Sequence, residues 1–368
     1  MLRIILKSLF EEKGRFFLSI ASVTFAFVLM LISIGIFNGA LEQNSRFVEK
    51  NPSDIFVFPK EMNDFYHGFP AIKLTDIEKL ENETGIKELV PMLAQRLSID
   101  SNESKFYIYL ASFDPNKSEG TPWIDGDKNL KDNEILISKL LARKLNKNVG
   151  DLIKINGIDK EWKIKDVVPR GSNFGNYYAW ITFDQAVEIN NRKDQVSFAY
   201  ITVDDKSNTN EVLKNIKQQN PSLSFYSKEE VLDNSQKEIL NSFLPTVEVL
   251  VFLSILIGTI FIGVSIYTFI LNKIKEIGVV KAIGIADIQL YFVVLLQTAC
   301  ITLLGLASGI VIALFLGRCI DNTELVPVSI DGREILICVL LSVIMGFVAS
   351  FWPVFKLKKI DPADIYKL

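Results

Sequence analysis

One histidine, His67, is all that the chain contains, and that scarcity removes whole classes of chemistry. Metal sites built on clustered imidazoles and Ser-His-Asp triads both need histidine with partners in place. Cysteine is nearly as rare. Cys300, Cys319 and Cys338 all fall in the last fifth of the sequence, in or beside strongly apolar segments. There they read as small buried hydrophobes, not as a disulfide framework or a metal cluster. No G-x-x-x-x-G-K-[ST] phosphate loop and no H-E-x-x-H pair occurs, so the chain is not expected to be an enzyme or to hydrolyse ATP by itself. A basic excess is also missing: 40 Lys and Arg against 43 Asp and Glu leave a net charge of −3, with nothing to neutralise nucleic-acid phosphates.

What is present is apolar length, with 49% of 368 residues hydrophobic. A bilayer core about 30 Å thick takes about 20 helical residues to cross. Four charge-free runs reach that length: 26 residues between Arg15 and Glu42, 24 between Glu248 and Lys273, 30 between Asp287 and Arg318, and 21 between Glu334 and Lys356. They place membrane spans at 15–41, 242–272, 288–317 and 335–355. The first run is too long for a signal-peptide core of about 7–15 residues and no small-x-small cleavage site follows it, so it is expected to be retained. Charge inside the spans, the usual mark of proton relays and ion paths, is confined to Glu248 at the outer edge of the second, which disfavours an ion-coupled transporter.

Lys and Arg in short segments resist translocation and set orientation. The N-terminus, the 273–287 loop and the 356–368 tail together carry 11 of them, whereas the 318–334 loop carries two, Arg318 and Arg333. Both termini are therefore expected in the cytoplasm, with residues 42–241 forming one extracytoplasmic domain. That domain holds 27 basic and 32 acidic residues, an ordinary solvated balance with no sign of an anionic ligand. In residues 1–14, Leu2, Ile5, Leu6, Leu9 and Phe10 line one face and Arg3, Lys7, Glu11 and Glu12 the other, the pattern of a helix lying on the inner leaflet or of a cytosolic extension of the first span. Gly14 suits a bend between the two.

The expected fold is membrane α-helical, four transmembrane helices, plus an α+β domain inserted between helices 1 and 2. In the insert a strand is expected at 54–58, then a helix opened by a Thr75/Glu78 capping box, then a strand around Leu89–Ile99. Phe198–Val203, Asn210–Gln218 and Ser222–Tyr226 read as strand, helix and strand. Two such β-α-β units flank a second lobe, in which Phe106, Ile108 and Leu110 alternate as in a half-buried strand and Glu134–Ser138 leads into a helix ending before Gly150. Asn44 to Lys50 and Lys228 to Asn241 would continue the first two spans outward as a stalk, with Val231, Leu232, Ile239, Leu240, Phe243 and Val247 as a packing face, the alternative being a plain linker, and with Pro245 bending the helix near the membrane surface.

Candidate functional residues are few. The pairs Gly35/Gly39 and Gly305/Gly309 let helices approach closely, either between two copies or within one bundle. Met62, Tyr66 and His67 form a cluster in the outer domain that either contacts a substrate such as a metal-porphyrin or is an ordinary solvated loop. The 273–284 loop is amphipathic and closed by a glycine at a helix C-terminus. Ile277, Val280 and Ile283 are expected near one face for an apolar groove on a cytosolic partner, with Glu276 and Lys281 flanking it and Gly278 allowing close backbone approach; the alternative is a tight turn dipping into lipid.

Lys275-Glu276-Ile277-Gly278-Val279-Val280-Lys281-Ala282-Ile283-Gly284 resembles the E-I-G-x-x-[KR]-A-[IL]-G signature of the MacB/FtsX-type ABC transporter permeases. Asn133–Ser138 with Leu141-Ala142, Leu145 and Val149-Gly150-Asp151 is similar to that family's periplasmic core segment, and Asp361-Pro362-Ala363-Asp364-Ile365 to its terminal motif. One span, a large domain and three spans follow in the family's order. With no fused ATPase, the chain resembles the separate-ATPase subgroup, which includes haem-exporter (HrtB-like), DevC-like and lipoprotein-releasing permeases. The resemblance implies a bacterial cytoplasmic-membrane homodimer that works with two copies of an ABC ATPase carrying ATP and Mg, with no cofactor or metal on this chain. Lys275, Glu276, Ile277, Gly278, Val280, Lys281, Ala282, Ile283 and Gly284 would make the ATPase contact. It implies an exporter of a hydrophobic or amphipathic compound, haem-like, drug, peptide or lipid. The alternative is an FtsX-like signalling complex that moves a partner such as a cell-wall hydrolase.

Overall fold

The computed structural model describes residues 13–65, 71–101, 104–117, 129–172, 175–189, 194–284 and 286–358. The expected surface helix over 1–14, apart from Lys13 and Gly14, and the terminal 361–365 motif lie outside them, as do Tyr66 and His67. The described chain divides into a helical unit, formed by residues up to Gly39 with Phe243–Ile320 and Val328 onward, and a mixed unit, Ala40–Ser242 with Asp321–Pro327.

Four helices each contain a stretch long and apolar enough to cross a membrane: α1 (Lys13–Lys50), α6 (Lys228–Asn272), α8 (Asp287–Asp321) and α9 (Gly332–Lys358). In the helical unit Val23, Phe27, Met30 and Leu31 of α1 meet Ile262, Ile266 and Ile270 of α6, Ile301 and Leu306 of α8, and Cys338 and Met345 of α9. The spacing of three and four residues is that of one buried helix stripe. The opposite faces expose Phe252, Phe261, Phe292, Phe315, Phe347 and Phe351, a surface that hydrocarbon covers at no cost and water does not. Hydroxyl pairs tie the helices together, Ser19 to Ser265 and Thr24 to Ser308, each at 2.6 Å. Cys338 is buried as expected and Cys300 partly so, but Cys319 is exposed, near the end of α8 where the helix face turns outward.

Small residues set how close these helices come. A Cβ added to Gly305 would fall 2.5 Å from Val23 Cγ1, and one on Gly309 would fall 2.8 Å from Phe27 Cβ, so both seat α8 on α1. A Cβ on Gly35 would fall 2.6 Å from Ile330 Cγ1, and Gly39 is buried. The described contacts of Gly35, Gly305 and Gly309 are thus within one chain.

In the mixed unit, β1 (Ile55–Pro59), β3 (Ile86–Met92), β11 (Phe198–Val203) and β12 (Leu223–Ser227) form an antiparallel sheet in the order β12-β1-β11-β3. Helix α2 (Leu74–Glu78) lies between β1 and β3 in the chain, and α5 (Thr209–Gln219) between β11 and β12. Each β-α-β unit therefore takes one strand of the other between its own two, the double split arrangement. Ile55, Val57 and Ile201 pack with Ile77, Val212 and Ile216 on one face, and Phe56, Phe58 and Tyr200 point to the other. Coverage on both faces explains why β1 reads as an unbroken apolar run. β2 (Ile72–Lys73) pairs with β10 (Gln195–Val196) as a separate ribbon.

The Thr75/Glu78 capping box does not form. α2 is capped two residues earlier, at Lys73 and with no side-chain bond, because the Leu74 amide donates to Asp194 O at 2.7 Å beside β10. The strand expected around Leu89–Ile99 is two strands in two sheets. The chain changes sheet at Leu93, whose amide donates to Ser112 Oγ at 2.8 Å, while Ala94 donates to Ser197 Oγ at 3.1 Å.

The second lobe is a six-stranded mixed sheet in the order β4-β5-β9-β6-β8-β7, from β4 (Ala94–Ser101), β5 (Ser104–Phe113), β6 (Glu134–Ser138), β7 (Leu152–Lys154), β8 (Glu161–Val168) and β9 (Tyr177–Thr182). Ile108, Leu110, Ile135, Ile137 and Ile164 face α3 (Lys139–Leu145) and α4 (Phe183–Ile189). Ser138 caps α3 through the Leu141 amide, and Thr182 and Gln185 bond each other's amides at the start of α4, a reciprocal cap.

Candidate functional site

Two places in the chain stand out by their geometry. The first is the pair of helix ends that enter the outer domain. α1 is 38 residues long and α6 is 45, about 57 and 68 Å at 1.5 Å per residue, against a bilayer core of about 30 Å. Each continues past its apolar stretch into the mixed unit without a break, and α6 is unbroken across Pro245. There the two run antiparallel. Asn44 Nδ2 donates to Ser235 O at 2.8 Å, and Lys228 Nζ donates to Glu49 O at 2.9 Å and Asn51 O at 2.6 Å. The ammonium thus satisfies carbonyls left over at the C-terminal end of α1. Burial lowers the Lys228 pKa, repulsion from Lys206 lowers it further, and Asp54, Glu229 and Glu49 oppose the shift.

The start of α6 is fixed by a reciprocal cap that was not read from the sequence: Ser227 N donates to Glu230 Oε2 at 2.8 Å and Glu230 N to Ser227 Oγ at 3.2 Å. Ser227-Lys228-Glu229-Glu230 is the S-x-x-E signature, so the signal was available. The buried edge of α6 here is Val231, Ser235 and Ile239 at i, i+4 and i+8, with Leu232 half-buried. Leu240 and Phe243 are exposed, which corrects the longer apolar face expected from sequence.

The second place is α7 (Ile274–Ala282), between α6 and α8. Helical hydrogen bonding runs through Lys273: its amide donates to Phe269 O at 3.1 Å, its carbonyl accepts from Ile277 N at 2.9 Å, and its ammonium pairs with Glu276 Oε1 at 2.8 Å. At the other end Gly284 donates to Lys281 O at 3.0 Å with φ +93°, a left-handed position that glycine alone takes without strain.

Which face α7 offers differs from the expectation. Ile277 and Val280 pack on the core of the spans, and Gly278 is buried. Lys281 pairs with Asp287 Oδ1 at 2.9 Å and only 9% of its side chain is exposed. Ile283 sits at the C-cap, past the last helical turn, and does not share the inner stripe. The outward residues are Lys275, Glu276, Val279, Ala282 and Ile283, with Val279 52% and Ile283 77% exposed. Two apolar knobs flanked by one cation and one carboxylate thus form an outward ridge.

Of the Met62/Tyr66/His67 cluster, only Met62 is described. It is half-buried against the outer-domain core, and nearby Phe65 lies edge-on to Phe47 at 4.7 Å and to Phe198 at 4.9 Å. Among the described residues no group of three or more His, Cys, Asp or Glu is placed to hold a metal ion.

Comparison with known proteins gives these shapes a context. Residues 16–219 match the MacB-like periplasmic core domain and residues 248–362 the FtsX-like permease C-terminal domain. A hemin transport system permease protein, HrtB, of Staphylococcus haemolyticus is 23% identical over 342 residues, 91% of each chain. Its Staphylococcus epidermidis counterpart is 31% identical over 109 residues, which is 30% of this chain and 31% of that protein. An uncharacterized ABC transporter permease of Mycobacterium tuberculosis is 20% identical over 96% of this chain and 95% of its own. Among solved structures, the extracellular domain of YknZ from Gram-positive bacteria covers 47% of this chain at 14% identity and TM-score 0.35, with 98% of that domain matched. The periplasmic region of MacB from Actinobacillus actinomycetemcomitans covers 50% at 10% identity and TM-score 0.36, with 92% of that region matched. With its outer domain and its C-terminal spans both matched, the chain belongs to the MacB/FtsX-type ABC transporter permeases.

Proposed function

We propose that this permease is the membrane subunit of an ATP-driven exporter, in which a separate ATPase grips α7 and its closure moves the outer domain through α1 and α6. The observation that carries this reading is the length and continuity of those two helices, clamped to one another where they enter the outer domain by Lys228 and Asn44. A helix transmits axial displacement because its hydrogen bonds lie along its axis; a flexible linker of similar length does not. ATP and Mg belong to the partner, two copies of which would serve a permease dimer with both termini in the cytoplasm.

The cargo class that fits is hydrophobic or amphipathic. Spans almost free of charge offer no polar path, so a compound taken from the membrane or the outer space suits them better than a hydrated ion. Haem-like tetrapyrroles lead, because the HrtB relative aligned over 91% of this chain is named for hemin transport. Deleting the gene and measuring tolerance to haemin, macrolides and antimicrobial peptides tests the class. Loss of haemin tolerance, restored by the wild-type gene, supports it. Unchanged tolerance to all three together with a cell-separation defect supports a signalling role on a cell-wall hydrolase instead.

A further inference from the structure

The connection between α8 and α9 is only ten residues, 322–331, and a short connection needs no fixed contacts of its own. Residues 321–327 nevertheless group with the outer domain. Glu324 is held with φ +59°, a conformation its neighbour Asn322 would adopt more readily, and its side chain is only 7% exposed. Its carboxylate lies 3.6 Å from Lys139 Nζ and accepts the Arg170 amide at 3.2 Å, while its own carbonyl accepts from Ser172 Oγ at 3.1 Å. Arg143, one turn after Lys139 on α3, donates to Asn322 O at 2.9 Å and Thr323 O at 3.4 Å, and Arg170 pairs with Asp321 at 3.8 Å. A Cβ on Gly175 would fall 3.2 Å from Leu325 O. Charge, backbone and shape thus converge on a buried carboxylate, where leaving either side unpaired is costly.

The same node is held from a second direction. Ser172 is buried, and while its hydroxyl bonds the Glu324 carbonyl, its own carbonyl accepts from Gln43 Nε2 of α1 at 2.7 Å. Residues 170–172 are therefore bonded both to the continuation of the first span and to the link between the third and fourth.

We propose that 321–327 is a coupling latch, in which Glu324 is the positioning residue that lets displacement of α8 and α9 move the second lobe through α3 and residues 170–172. This rests on the exporter reading and adds a third route to the two helices already described.

Hydrogen exchange on the intact permease–ATPase complex in nanodiscs, with and without ATP and vanadate, decides it. In the wild-type chain nucleotide should change protection both in α3 with residues 170–172 and in residues 228–242 of α6. Glu324→Ala should speed exchange in 321–327 and at the Arg170 amide by about tenfold or more at rest. It should also abolish the nucleotide response of α3 while leaving that of 228–242. Arg143→Ala, on the other side of the contact, should do the same, so a folding defect peculiar to one variant does not decide the outcome. Unchanged resting exchange in both variants, or a nucleotide response of α3 that survives the loosening, overturns the latch and leaves the exporter reading standing. A wild-type complex whose 228–242 segment is also indifferent to nucleotide contradicts both.

Discussion

Lys228 donates to the Asn51 carbonyl at 2.6 Å, joining the first turn of α6 to the residue just past the end of α1. The contact closes the junction where the two long helices enter the outer domain, and it brings together residues 177 positions apart. Half-buried and charge-assisted, it stabilises the junction by about 1 kcal/mol. Lys228→Met keeps the stem and removes the donors. Amide exchange in 44–51 and 228–235 is expected to rise about fivefold, with stimulated ATP hydrolysis reduced less than export. Unaltered exchange in both segments means that the junction is held by packing alone.

In the proposed arrangement the outward ridge of α7 is the partner contact, while its inner face, Ile277 and Val280, belongs to the chain's own core. Ile283→Glu and Val279→Asp place charge where the helix is exposed and should leave insertion and melting temperature unchanged while lowering ATPase co-purification about tenfold. Ile277→Glu buries a carboxylate against the spans and should lower the yield of folded permease. Equal loss of folded protein in all three variants would assign the whole helix to the bundle.

Close packing between α8 and α1 is tested by Gly305→Leu. Its side chain has no space beside Val23, where even a Cβ would come to 2.5 Å, so overpacking by about 1–3 kcal/mol is expected as a drop in melting temperature in detergent. Gly332→Ala, where a Cβ meets nothing within 4 Å, is the control and should change little.

Much of this was legible in the sequence because the signal is local. Charge-free runs mark the spans, since one ionised residue in hydrocarbon is expensive wherever it falls. Phe198–Val203 reads as a strand from its own composition, and Gly284 as a helix stop from its place after Ala282-Ile283. What was not legible depends on distant partners. The break at Leu93 is made by hydroxyls of Ser112 and Ser197, neither visible from the apolar pattern around it. Thr75 and Glu78 have the spacing of a capping box, but Asp194 O had already taken the amide that sets the helix start. Ile277 and Val280 show that apolar periodicity says a face is covered and not by what: the cover is this chain's own spans. The Glu324 latch leaves no periodicity at all, because its partners Lys139, Arg143, Arg170 and Ser172 are more than 150 positions away in the sequence.

The basic-residue asymmetry predicts an orientation that labelling checks. In a cysteine-free background, a cysteine at Lys217 on α5 should react with a membrane-impermeant maleimide in intact cells. One at Lys275 on α7 should react only after permeabilisation. Labelling of position 275 from outside would reverse the assignment of both termini.

Export itself is most directly measured in proteoliposomes carrying the permease with its ATPase, loaded with haemin in the bilayer and supplied with ATP on the ATPase side. Haemin should appear on an acceptor protein facing the outer domain at a rate that depends on hydrolysis, and Ile283→Glu should lower that rate about tenfold without unfolding the permease. Transfer that is identical with ATP, without it, and with an ATPase unable to hydrolyse would contradict haemin export by this chain.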